Sequence, residues 1–155
     1  MAIHTIASAA HEIIHSLFRA KGLKGLIFDS PIVRPEKRQL VSSKIKQPAN
    51  FFKHARPGEA PSLEFDPELS FVLMVISCKG LRDMGEEPTV EEAALTFWAL
   101  FSDPELFLAG KALLQNANVQ AIKQLTADGP QVFLRDFEWA WSAGFVKPTD
   151  FEAGM

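Results

Sequence analysis

The chain has 155 residues, 47% of them hydrophobic, which is enough to bury one core without disulfides or structural metals. Thirteen Phe and three Trp stand beside no Tyr, and a lone cysteine, Cys78, excludes an internal disulfide. The net charge of −3 hides a division: residues 1–56 hold ten Lys or Arg against three acids, +7, and residues 57–155 carry −10.

A segment this basic can present a surface to phosphate. The alternative is that the two parts neutralise each other, within one chain or across a dimer. The start of the chain lacks a basic n-region, and the apolar run Leu69 to Cys78 is too short to span a bilayer. These features predict a soluble cytoplasmic protein with no membrane partner, folded as a single domain over residues 1–155.

From Ile3 to Ala20 apolar residues recur at three- and four-residue intervals, predicting a helix ended by Gly22. Ile3, Ile6, Ala7, Ala10, Ile13, Ile14, Leu17 and Phe18 form its expected inner face. His4, Ser8, His11 and His15 fall opposite them, as a polar stripe. Residues 23–33 read as a connection. A second helix is expected from Pro35 to Gln47, with Leu40, Val41 and Ile45 inward and Lys37, Arg38, Lys44 and Lys46 outward. Pro48 marks a kink or a fresh start, and a short third helix follows over Ala49-Asn50-Phe51-Phe52-Lys53-His54-Ala55. Residues 56–62 suit no regular structure.

Asp66-Pro67-Glu68 predicts a helix start with Asp66 as the N-cap, running to about Asp83 and stopped by Gly85. Its apolar residues lie nearly all round, which predicts the most buried helix. Thr89-Val90-Glu91-Glu92 reads as a capping box, with Ala93, Ala94, Phe97, Trp98 and Phe101 on one face after it. Further helices are expected from Ser102-Asp103-Pro104 to about Gln115, over 118–127 and over 131–143. The fold class is therefore all-α, a helical bundle of about six to eight helices. Phe107, Phe133, Phe137, Trp139 and Trp141 exceed what a small bundle must bury, so they either form a dimer surface or cover the early helices.

Two constellations carry candidate chemistry. His11-Glu12-Ile13-Ile14-His15 matches H-E-x-x-H: on a helix, two imidazoles one turn apart can share a zinc ion, with Glu12 as base to metal-bound water. Over these five residues the chain resembles zinc-dependent peptidases, whose pattern takes a further Glu downstream. Glu36 is the candidate in that range, and His54 from another helix is a second source for a third ligand. In the alternative reading the histidines are a polar helix face and Glu12 pairs with a nearby cation.

The second constellation is Asn50, Lys53 and His54, with Lys46 as a further cation nearby in the sequence. Asn50 and His54 share a helix face. The stretch resembles the R-N-x-x-x-H signature of the HEPN superfamily, helical proteins that often dimerise and of which many cleave RNA. The resemblance implies that Asn50 takes the polar place and His54 the histidine place, at a dimer cleft acting on a phosphate. Ala49 stands where that signature has Arg, so the residue expected to stabilise phosphate charge is missing. Lys53 or Lys46 offers a point charge instead of a planar fork. More broadly, His4-Thr5, Ala10, Glu12, the N-F-F-K-H-A run, Leu63-Glu64-Phe65 and Pro67 resemble an uncharacterised family of bacterial helical proteins. The sequence thus predicts a homodimer binding an anionic ligand, RNA or a nucleotide, through Asn50, Lys53, His54 and Lys46. A metal-dependent hydrolase using His11, Glu12 and His15 is the alternative.

Overall fold

The computed structural model describes residues 2–23, 33–54, 63, 65–107, 124 and 126–146. Among these the protein is all-α, with five helices and no strand: α1 (Ala2–Ala20), α2 (Pro35–His54), α3 (Glu68–Asp83), α4 (Val90–Ser102) and α5 (Pro130–Ser142). The helices expected over 104–115 and 118–127 fall mostly outside the described residues. At the part that is described, Asp103 to Leu106 form a turn in which the Asp103 carboxylate accepts from the Leu106 amide at 3.2 Å. Phe107 then bridges antiparallel to Val33. No described helix is long and apolar enough to cross a membrane.

Helix α3 is the centre, as its all-round apolar pattern predicts. It begins where the Asp66 carboxylate accepts from the Glu68 amide at 3.0 Å, and it ends at Gly85, whose φ of 95° suits a residue without Cβ. On one side Val72, Leu73 and Ile76 pack with Ala7 and Phe18 of α1, Val41 and Ile45 of α2, and Val33. On another, Val75 packs with Ala99, Leu100 and Phe107. Helix α4 opens on the predicted capping box: Thr89 and Glu92 exchange side-chain to backbone hydrogen bonds at 3.3 and 2.9 Å. Beyond it, Ala93 and Ala94 pack against Phe133 and Phe137 of α5, with Phe97, Trp98, Phe101 and Trp141 around them. These rings cover α4 and not the early helices. Trp139 stays outside, 67% exposed against Phe145.

Two expectations for the early helices are corrected. Helix α2 is one helix from Pro35 to His54, with Pro48 inside it and buried, so no separate helix begins at Ala49. A helical proline forfeits one hydrogen bond and crowds the preceding turn, at roughly 3 kcal/mol. Packing of Val41, Ile45 and Pro48 on one strip offsets that cost, while Leu40 turns outward. The larger correction is to α1, which is rotated from its expected setting. His4 and His11 are buried and His15 is half-buried, whereas Ile3, Ile6, Ala10, Ile13 and Leu17 face solvent.

Candidate functional site

The inner face of α1 is His4, Ala7, His11, Ile14 and Phe18, spaced three and four in strict alternation. It meets α3 in parallel. His4 Nδ1 lies 3.2 Å from Ser70 Oγ, and His11 Nδ1 lies 3.5 Å from Ser77 Oγ, two pairs with the same separation of 66 residues. Seven residues make two helical turns, so a heptad of histidines on one helix finds a heptad of serines on the other. Phe65 closes the first layer with its ring edge-on to His4 at 5.0 Å. Lys21 closes the far end by donating to the Met84 carbonyl at 2.9 Å, a cation at the C-terminus of α3.

The second layer fixes its own proton. The Ser77 hydroxyl donates to the Leu73 carbonyl at 2.8 Å, so toward His11 its oxygen accepts, and His11 carries its proton on Nδ1. Nε2 of His11 is then a bare lone pair, buried without a hydrogen-bond partner; Nε2 of His4 and Nδ1 of His15 are also buried without a side-chain partner. Burial, reinforced by neighbouring His15, lowers the His11 pKa to about 4, against a weaker opposing pull from Glu12. His4 is lowered too, chiefly by burial. Both are neutral at neutral pH. The His11 and His15 rings are near-parallel, with centroids 6.1 Å apart. Glu12 is exposed, on the side of α1 away from α3, and Glu36 is exposed in the first turn of α2. Among the described residues no group of three or more His, Cys, Asp or Glu side chains could hold a metal ion.

The anion-binding candidates lie elsewhere. Within α2, Lys37, Arg38, Lys44, Lys46 and Lys53 stand against one acid, Glu36. At 3.6 residues per turn, Lys46 and Asn50 are neighbours on one flank of the buried strip, and Lys53 follows Lys46 by two turns. Lys46 and Asn50 are exposed. Lys37 and Lys44, also exposed, take the opposite flank, so the basic residues form two rows and not one patch. The side chains of Ala49, Lys53 and His54 lie outside the described residues.

Two features weigh against other sites. Burial pushes the Cys78 thiol up to about 12, far from a thiolate nucleophile at neutral pH. A cleft of about 330 Å³ between α4 and α5, walled by Phe71, Leu95, Trp98 and Phe133, has Glu91 and Glu92 at its edge, the wrong sign for an anion. No protein-family model, curated protein or solved structure matches the chain.

Proposed function

We propose that the chain is a cytoplasmic, homodimeric binding protein for an anionic ligand, RNA or a nucleotide, HEPN-like but without that superfamily's full catalytic set. One observation carries this reading: α2 bears five cations against one acid and exposes Lys46 and Asn50 side by side. Lys46 and Lys53 supply point charges for phosphate, Asn50 supplies an amide for sugar or base, and His54 is the candidate imidazole. Phosphate contacts release counterions, so affinity for a labelled single-stranded RNA should fall with salt, with a log–log slope of about −1.4 for the two lysine contacts. Lys46→Glu should weaken binding and flatten that slope by about 0.7. Binding indifferent to salt, or unchanged in Lys46→Glu, would defeat the proposal.

A second reading is favoured by the unpartnered imidazole nitrogens of α1. Under it, His11 Nε2 and His15 Nδ1 hold a zinc ion, a role imidazole nitrogens commonly take. In the hydrolase form of this reading, Glu12 acts as base. Elemental analysis of untagged protein should then find about one metal per chain, lost in His15→Ala. Metal-free protein in both cases would end it.

A further inference from the structure

Helix α1 carries a second heptad that nothing described covers. Ile3, Ile6, Ala10, Ile13, Leu17 and Ala20 follow spacings of three, four, three, four and three, and all six are exposed. The four large side chains are 68%, 69%, 63% and 51% open. No charged residue interrupts the row. Its neighbours on the outer edge are Ala9 and Ser16, while Glu12 and Arg19 sit further round. A strict three-four repeat is the pattern by which one helix seats the knobs of another. The same helix already uses such a repeat against α3.

We propose that this row is the pairing surface of the homodimer, and that α1 meets its copy from a second chain in antiparallel register. The proposal rests on the dimeric part of the reading above and adds the surface. Two arguments select a second copy. First, two-fold pairing requires a self-complementary surface, and this row is one. Setting Ile3 against Ala20, Ile6 against Leu17 and Ala10 against Ile13 uses all six positions twice, and each alanine receives a large partner. A parallel pair would set Ala10 and Ala20 against themselves and leave voids. Antiparallel pairing also opposes the helix dipoles.

Second, the area suffices. Four largely open aliphatic side chains and their alanines offer on the order of 400–500 Å² per chain. Two copies together offer about 800–1,000 Å², which reaches the lower edge of a specific interface. A membrane surface fits less well, since interfacial helices carry lysine and arginine along the polar face, and α1 has Arg19 and Glu12 there.

Sedimentation of the full chain at micromolar concentrations should show a dimer. Ile13→Glu places a carboxylate at two layers of the seam and should weaken dimerisation at least about 100-fold with helicity unchanged. Leu17→Glu, one turn away, should do the same and guards against a folding defect confined to one variant. Orientation is read by cross-linking in a Cys78→Ser background: mixed Ala10→Cys and Ile13→Cys chains should oxidise to the heterodisulfide. A monomeric wild type overturns the dimer and the seam together. A dimer that both glutamate variants leave intact overturns the seam alone, and self-linking of Ala10→Cys in place of the mixed product overturns the register. None of these readouts depends on the Lys46 salt response. A wild-type monomer that floats with liposomes would assign the row to lipid instead.

Discussion

Acidification from neutrality to about pH 4 should remove about 3 kcal/mol of folding stability through His11 alone. The folded imidazole titrates near 4 and the unfolded one near 6.5, so between those values the unfolded chain binds more protons. Stability is therefore whole above 6.5, drains as pH falls through the window and levels off below the folded value. His4 acts in the same direction. The groups around His11 do not rescue the charged form: Ser77 is its neighbour on α3, His15 on its own helix disfavours the charge, and the opposing pull of Glu12 is the weakest of the three influences. His11→Leu should abolish most of the slope. It should cost little at neutral pH, because Ser77 keeps its bond to the Leu73 carbonyl and a bare nitrogen is replaced by hydrocarbon of similar size. Urea midpoints across the window, with a chelator present, test this. An undiminished slope in His11→Leu would place the acid sensitivity elsewhere.

Phe107→Ala should cost about 3–5 kcal/mol, the range for deleting a fully buried aromatic ring. Phe107 is 1% exposed although it lies on no helix. It fills the space beside Val75, Ala99 and Leu100, and its bridge to Val33 ties that core to the one shared by α1, α2 and α3. The backbone beside it is held by the Arg34 amide donating to the Leu106 carbonyl at 3.3 Å and by the Arg34–Glu105 ion pair at 3.0 Å. A cavity there has little freedom to collapse. Leu40→Ala, on the open side of α2 at 55% exposure, should stay within about 0.5 kcal/mol. Denaturant midpoints with unchanged m-values measure both. Similar losses in the two variants would refute the assignment of Phe107 to the core.

Caps and stops were the most legible parts of the sequence, because their chemistry is local. The Thr89–Glu92 box, the Asp66 carboxylate at the start of α3 and the glycine stops at 22 and 85 each involve residues within four positions. The setting of α1 was not legible. Its apolar residues form two interlocked heptads, and periodicity alone favours turning the wider apolar arc inward. The deciding partners, Ser70 and Ser77, lie 66 residues away, and their hydroxyl oxygens meet the imidazoles of His4 and His11. The passage of α2 through Pro48 has a similar origin, since burial on a strip with Val41 and Ile45 outweighs a local penalty. In the candidate site, the sequence paired Asn50 with His54 and set Lys46 on a separate helix; the single helix running through Pro48 is what places Lys46 one turn before Asn50. It also grouped Lys44 with Lys46 as outward residues, although the helix sets them on opposite flanks.

The constant separation between α1 and α3 has a consequence for biosynthesis. Translation proceeds at about 5–20 residues per second, so α1 leaves the ribosome roughly 3–13 seconds before the stretch that receives its histidines. During that interval both of its greasy rows are uncovered on a nascent chain. Two ribosomes on one message would then carry matching bare helices, which makes early α1 encounters a route either to assembly on the polysome or to aggregation. The order of synthesis gives this chain a period of vulnerability that the finished fold conceals.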